Sequence, residues 1–359
     1  MNKSFICHFK FFLSVWFISL AYPCFTQVRR PLQLEATLTQ GNFYAHSVFR
    51  APLLRPLRSI DFTLSKPTDG ACRWQQLHGY PDMGIRLRFR DMGNDEVYGH
   101  VVSIIPHLTF YPYRREKWGV RVSHGTGLCY ITKMYDEESN PSNLLISSHL
   151  NAASFLSAGL FFQPLSAWTA STTLEFSHES NGSFKIGNRG FNVWAAGISL
   201  RRNWNTPVEK RPRVPSTYIG PRWLFSVELS CGMHDYNAYA RELQLTTEMT
   251  TAVWRQHSER FRSYLGLGHS IYPFSQIRQA VFLMAGEEVL LGRLSVRYSA
   301  GTYITSTEQR FQLIEKIGIN YYPFKKRISG IARGIYFGNA LKAHGSVAAH
   351  IEFMVGNLF

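Results

Sequence analysis

The chain has 359 residues, of which 45% are hydrophobic and 14% aromatic, and its formal net charge at pH 7 is +15. Five scattered cysteines exclude a disulfide scaffold, and no C-x-x-C pair or H-E-x-x-H zinc motif occurs. A charge of this size is compatible with nucleic acid, anionic lipid or acidic polysaccharide as partner, but the even scatter of arginine makes nucleic acid the weakest of the three.

The first 27 residues have the pattern of an export signal. Lys3 and Lys10 precede an apolar run at 11–22, and small or polar residues follow. The run is too short to cross a bilayer comfortably, so we predict a signal peptide at 1–27 that is removed from the mature chain. No second long apolar stretch follows, which disfavours a helical membrane protein.

Apolar and polar residues alternate with a period of two along most of the remaining chain. The segments 85–90, 225–230, 293–299 and 317–321 show the alternation, and turn-rich sequence separates such segments. Roughly 12 to 16 strands are indicated, and about 14 is the best estimate because bacterial barrels favour even numbers. Together with the high aromatic content, this pattern predicts an all-β fold, a transmembrane antiparallel β-barrel of the bacterial outer membrane.

No break in composition divides the chain, so residues 28–359 are predicted to form one barrel domain. Residues 203–218 contain three prolines and are interpreted as an external loop, with a domain linker as the alternative. Residues 144–165 fit either a strand pair or a strand with a short helix. A secreted soluble β-sandwich that binds acidic glycans is the alternative fold. If the chain forms a barrel, the basic residues could line a water-filled lumen instead of binding an external anion.

The final segment alternates with a consistent apolar face. Ile351, Phe353, Val355 and Phe359 share that face. An aromatic residue closing such a strand resembles the assembly signal of outer-membrane barrels, so we expect the outer-membrane assembly machinery to be a partner. Four tryptophans fit interfacial aromatic belts: Trp118, Trp168, Trp194 and Trp223.

Residues 176–182, at the end of one alternating segment, carry the most chemical information. His178 and Ser180 are two residues apart, so a base and a hydroxyl share one face of the strand. That face is apolar, which in a barrel places it toward lipid. Asn181 and Gly182 follow and offer an amide donor and a flexible backbone beside a developing oxyanion.

This segment resembles the active-site region of the lipid A 3-O-deacylase family of outer-membrane barrels, which are acyloxyacyl hydrolase-like enzymes. The family has a strand ending in His-x-Ser-Asn, a short loop with Asn and Gly, and a second strand. The resemblance covers roughly 148–201, and the chain is longer than the family's eight-stranded members, so it resembles an enlarged relative. The matching positions are His178, Ser180, Asn181, Gly182, Asn188 and Gly190.

The resemblance implies a function and roles for these residues. Ser180 would attack an acyl ester of lipid A in lipopolysaccharide, and His178 would take the serine proton as general base. Asn181 and the backbone N–H of Gly182 would stabilise the oxyanion, and Asn188 and Gly190 would belong to the substrate-binding loop. The family needs no metal or cofactor.

One position departs from the family pattern. The family places a glutamate twelve residues after the serine, where this chain has Asn192. An amide can accept a hydrogen bond from imidazole, but it has no negative charge to stabilise imidazolium. Glu175 and Glu179 fall on the opposite face. The sequence therefore leaves open a slower enzyme with Ser180, His178 and Asn192, a substitute acid from another strand, or a non-catalytic barrel that acts as a pore or binds lipid A.

Overall fold

The computed structural model describes residues 32–44, 53–182, 189–204, 208–216, 218, 220, 222–235, 243–271, 279–305, 313–323, 326–328, 331–344 and 347–359. The predicted signal peptide therefore lies outside the described residues and stays a prediction. In the described part, antiparallel strands dominate and helix α1 is short, at Arg73–Leu77. None of the helices described there has the length and apolarity needed to cross a membrane.

The first eight strands form a closed antiparallel barrel. Each strand pairs with the next along the chain, and β1 also pairs with β8 through a continuous register from Leu32 with Trp204 to Phe43 with Val193. The strands are β1 (Leu32–Phe43), β2 (Leu57–Pro67), β3 (Asp82–Asp91), β4 (His100–Arg114), β5 (Trp118–Ile131), β6 (Leu150–Leu165), β7 (Trp168–Ser180) and β8 (Phe191–Trp204).

The remaining strands form a second closed barrel. Strands β9 to β14 pair in chain order, β14 pairs with β16, and β17 pairs with both β16 and β9, while β15 adds only a short hairpin to β16. The strands are β9 (Arg222–Asp235), β10 (Leu243–Gln256), β11 (Phe261–Ile271), β12 (Gln279–Leu291), β13 (Leu294–Tyr303), β14 (Leu313–Tyr321), β15 (Lys326–Ile328), β16 (Ile331–His344) and β17 (Val347–Leu358).

The prediction of one barrel with about 14 strands is therefore wrong, because the strands close into two barrels of eight. Eight strands already enclose an interior that side chains can fill, so β8 can return to β1 without further strands. β8 ends at Trp204 and β9 begins at Arg222, so most of 203–218 connects the two barrels, in agreement with the linker alternative, and 150–165 form the single strand β6. The alternative of a β-sandwich is also wrong, since both sheets close on themselves.

Alternation assigns one face of each strand to the outside and the other to the interior. In β3, Ile85, Leu87 and Phe89 are exposed outward, whereas the arginines between them are buried inside. Phe353, Val355 and Phe359 are also exposed, as their shared face predicts. Large exposed apolar side chains occur on both barrels, which is expected of a membrane-embedded surface.

Ion pairs fill the interior of the first barrel. Arg88 Nη2 lies 2.7 Å from Asp61 Oδ2 and 2.5 Å from Glu175 Oε1, and all three side chains are at most 2% exposed. Arg86 also contacts Glu175, at 2.6 Å, and Arg90 contacts Glu179, at 3.0 Å. These arginines neutralise buried carboxylates, so they do not line a wet lumen.

The second barrel is filled in the same way. Lys316 Nζ lies 2.5 Å from Glu248 and 2.7 Å from Glu352, and Arg297 lies 2.6 Å from Glu228. A cavity of about 20 Å³ remains beside Arg297, which is room for about one water molecule. The described interior of this barrel is therefore packed with side chains rather than open as a channel.

The two ends of the barrels differ in their connections. The end with the tight turns 115–117, 166–167, 257–260 and 292–293 is called here the short-turn end. The opposite end, called the long-loop end, carries the connections 92–99, 132–149 and 181–190 of the first barrel, whereas the connection 68–81, which contains α1, lies at the short-turn end. In outer-membrane barrels the short turns face the periplasm.

Contacts between the barrels lie at the short-turn end. Arg73 of α1 bonds Glu259 of the second barrel at 2.8 and 3.0 Å. His78 Nε2 lies 2.8 Å from the Leu290 carbonyl oxygen, and burial lowers the pKa of His78, so the neutral ring donates this bond. These contacts leave the long-loop end of the first barrel uninvolved.

Glu175→Gln should destabilise the first barrel, because it removes the carboxylate that three arginines share inside. Breaking such a buried pair costs about 3–5 kcal/mol. Urea titration in detergent micelles, followed by tryptophan fluorescence, measures the change. Ser171→Ala is the matched control on the same strand, because the buried Ser171 hydroxyl has no hydrogen-bond partner among the described residues. Equal unfolding midpoints for the two variants would contradict the role of the ion pairs.

Candidate functional site

Strand β7 brings His178 to the outward face at the long-loop end. Its outward residues include Leu174 and Phe176, and the Phe176 ring lies 5.1 Å from that of Trp194 on β8. Ser180, the last residue of β7, is 7% exposed. Inward residues of the strand are polar and buried. Alternation therefore predicts correctly that the His178 position belongs to the apolar, outward side.

Register places His178 beside Asn192. The two residues are directly paired across β7 and β8, and His178 Nδ1 lies 2.7 Å from Asn192 Oδ1. The amide oxygen can only accept, so the imidazole carries its proton on Nδ1. His178 Nε2 is buried and has no hydrogen-bond partner in the part of the chain that the structure describes. The ring thus has a lone pair on the nitrogen that a general base would use.

A tight turn holds the hydroxyl of Ser180. Its Oγ accepts a hydrogen bond of 3.0 Å from the backbone N–H of Gly182. Gly182 has φ of +65°, which favours glycine at this position. Across the sheet, Ser180 pairs with Ala152 of β6, so little side-chain volume stands opposite it on that strand. The backbone turn and the serine are therefore one unit.

Asn181 makes contacts that the sequence did not predict. Its Nδ2 donates to Ser147 Oγ at 3.0 Å and to Ser148 Oγ at 2.9 Å, and the residue is 7% exposed. Its amide group thus anchors the end of β7 to the connection 132–149. This structural role differs from the expected role as an oxyanion donor. Ser148 begins a segment that resembles the family, and this resemblance was the sequence signal that could have indicated the contact. Asn188 lies outside the described residues.

Gly190 lies against the imidazole. Its φ is +75°, and a Cβ placed there would stand 2.5 Å from His178 Cε1. Its N–H donates to the Leu145 carbonyl oxygen at 2.9 Å, so the backbone is fixed at this distance. Leu145 is buried in the apolar cluster under the long-loop end. Glycine at 190 is therefore a requirement of the His178 ring position.

The acids on β7 do not serve His178. Glu175 and Glu179 are buried inside the barrel, where each pairs with arginine. Among the described residues, the side chain bonded to the imidazole is the Asn192 amide. The prediction that Glu175 and Glu179 lie on the wrong face is confirmed, and neither can replace the missing family glutamate.

A possible metal-binding group at the same end is already neutralised. Asp91, Asp95 and His100 offer ligand atoms within 4.8 Å of one another. Arg55, however, donates to Asp91 at 2.9 Å and to Asp95 at 2.6 Å. A guanidinium thus occupies the position where a cation would sit, and the group is an ion-pair cluster.

Comparisons with solved structures give barrels of low similarity. A BenF-like porin from Pseudomonas fluorescens Pf-5 is 10% identical, with 92% of this chain and 97% of that chain covered and a TM-score of 0.22. The Acinetobacter baumannii outer membrane protein Omp33 is 7% identical, with 92% and 98% covered and a TM-score of 0.18. At these TM-scores the fold rests on the strand pairing alone. No curated protein matches the sequence.

A family comparison agrees with the geometry. The model of the lipid A 3-O-deacylase (PagL) family matches residues 60–201, from within β2 to within β8. This range contains His178, Ser180 and Asn192 and excludes the second barrel. The family resemblance is therefore confirmed: over residues 60–201 the first barrel is similar to lipid A 3-O-deacylase (PagL).

Proposed function

We propose that the first barrel is an ester hydrolase of the bacterial outer membrane that removes an acyl chain from lipid A. The observation that carries the proposal is the 2.7 Å contact between His178 Nδ1 and Asn192 Oδ1 on the outward face next to Ser180. The family match over 60–201 supports lipid A as the substrate class.

The proposed mechanism follows serine-hydrolase chemistry. Asn192 holds the imidazole in the tautomer whose Nε2 is free to accept a proton. Ser180 Oγ attacks the ester carbonyl while its proton passes to Nε2 of His178. The tetrahedral intermediate collapses, and the imidazolium returns the proton to the departing sugar oxygen. Water, activated by the same base, then hydrolyses the acyl–serine ester.

Backbone N–H groups are the proposed oxyanion donors. The N–H of Gly182 already points to Ser180 Oγ at 3.0 Å, so a small movement brings it to the oxygen of a tetrahedral intermediate. Asn181 is assigned a positioning part, because its amide is held by Ser147 and Ser148. Asn188 and Gly190 stay with the substrate-binding loop in this proposal, and Gly190 also makes room for His178.

The outward position explains how a membrane lipid would reach the site. The interior of the barrel is filled with ion pairs, so a substrate cannot arrive through it. A lipid embedded in the bilayer can approach the outer face laterally, where Leu174 and Phe176 provide apolar surface below His178. No metal or cofactor takes part in this scheme.

Asn192 favours a second candidate, an inactive relative that binds lipid A without cleaving it. The amide orients His178 but adds no negative charge as imidazolium forms. A passive pore is less well supported, because ion pairs and aromatic side chains fill the described interiors.

Ser180→Ala and His178→Ala should each abolish deacylation, because they remove the nucleophile and the base. Mass spectrometry of lipid A from cells that express each variant measures the acyl count. Ser154→Ala is the control, since Ser154 pairs with His178 from β6 and takes no proposed part. The hydrolase would be excluded if cells that express the unaltered protein in the membrane had the same lipid A acyl count as cells without it.

Asn192→Asp should raise the deacylation rate on the order of tenfold, because an isosteric carboxylate keeps the hydrogen bond and adds charge next to the imidazolium. Asn192→Leu should lower the rate about 100-fold or more, because it leaves the ring without an acceptor. Initial rates with purified lipid A in mixed micelles give both values. If the aspartate variant is as slow as the leucine variant, Asn192 has no orienting role.

Gly190→Ala should lower the rate on the order of 100-fold, because its Cβ would displace the imidazole by about an ångström. Gly79→Ala is the matched control. Gly79 has φ of +76°, so the backbone strain is similar, but a Cβ there meets nothing within 4 Å. Both variants are assayed after confirming that they fold. Equal activities would show that strain, rather than contact with His178, sets the effect.

A further inference from the structure

The excess positive charge has a defined place on the described surface. Charges inside both barrels are paired, so they contribute little to the field outside. At the long-loop end, acidic residues accompany the basic ones, as in the Arg55 cluster and the acidic run 136–138. At the short-turn end, basic residues outnumber acidic ones in the turn 114–117 and the segment 208–216.

Arginine side chains stack on aromatic rings around this end of both barrels. In the first barrel, Arg202 Cζ lies 4.8 Å from the centre of the Trp168 ring. In the second, Arg255 Cζ lies 5.6 Å from that of Trp223, which is 63% exposed. Outward tryptophan at a barrel end is typical of the headgroup level of a bilayer. A guanidinium stacked on a ring can direct N–H groups to a phosphate at that level.

A further arginine–aromatic pair repeats the arrangement at the turn between β4 and β5. Arg115 Cζ lies 5.5 Å from the Tyr113 ring, and Tyr113 is 40% exposed. Tyr113 in turn contacts Trp118, with ring centres 5.2 Å apart. The three arginine–aromatic pairs are on different strands, yet all lie at the same end of the barrels. They therefore form a band rather than a single patch.

The connection between the barrels adds cations that repel one another. Lys210 Nζ lies 5.1 Å and Arg213 Cζ 5.9 Å from the Tyr80 ring. Loss of solvent lowers the pKa of Lys210, and the charges of Arg114 and Arg213 lower it further, against an opposing contribution from Asp82. A bound anion would relieve this repulsion.

We propose that this band binds the phosphate groups of anionic phospholipids in the leaflet at the short-turn end. The band, called the short-turn collar, comprises Arg115, Arg202, Lys210, Arg213 and Arg255. Arginine matches phosphate with paired N–H donors, and the rings beside it fit the boundary between headgroup and acyl chain. The collar lies at the end opposite His178, so its ligand differs from the substrate of the proposed hydrolase.

Native mass spectrometry of the full chain in detergent tests the collar. The Ser180→Ala background prevents turnover, and phosphatidylglycerol, phosphatidylcholine and lipid A are added separately. Phosphatidylglycerol should be retained in preference to phosphatidylcholine. The triple variant R115Q/R202Q/R255Q should weaken its retention on the order of 100-fold, since each basic side chain near an anionic lipid adds about fivefold. Added salt should weaken it as well.

The variant R58Q/K133Q is the matched control, because it removes exposed cations from the long-loop end. It should leave phosphatidylglycerol retention unchanged. Equal retention of the two phospholipids, an equal loss in both variants, or a collar variant that loses lipid A but not phosphatidylglycerol would each overturn the proposal. Far-ultraviolet circular dichroism confirms that the variants are folded. Because Ser180 is absent throughout, the result does not depend on whether the first barrel cleaves lipid A.

Discussion

Burial of neutralised charge inside closed sheets is the constraint on which this structure depends. An eight-stranded barrel has room for side chains but for little else, and here arginine, lysine and carboxylates occupy that room in direct contact. Neither partner could be buried alone, because an unpaired charge in such an interior is strongly destabilising. Interior positions are thus committed to stability, and the outer face and the ends are left for function.

The position of the candidate site follows from this division. Alternation sends Glu175 and Glu179 inward to arginine and His178 outward with Leu174 and Phe176. On this strand, one acidic side chain cannot contact both an interior arginine and the His178 imidazole, because the two lie on opposite faces. The partner of His178 must then come from the outward face of a neighbouring strand, and register gives that place to Asn192 on β8.

How much the sequence could predict depends on the range of the contacts involved. Alternation within one strand is local, so the faces of Arg86 and His178 were readable, and the family resemblance located Asn192. Closure was not readable, because the partner of β1 is about 160 residues away and no residue of β8 marks it as the last strand. The contacts of Asn181 with Ser147 and of Gly190 with the imidazole likewise join segments whose distance is set by the folded loops.

Asn192 separates two tasks that one glutamate performs in the family. One task is orientation, which needs an acceptor at hydrogen-bond distance from Nδ1, and the amide oxygen supplies it at 2.7 Å. The other task is to stabilise the positive ring that forms during proton transfer, which needs negative charge. The carboxylates of Glu175 and Glu179 are on the opposite face of β7 and already bound to arginine, so their charge is largely cancelled at His178. In the proposed hydrolase, Asn192 would therefore orient His178 as the base, while the described side chain bonded to the imidazole would add no negative charge during proton transfer.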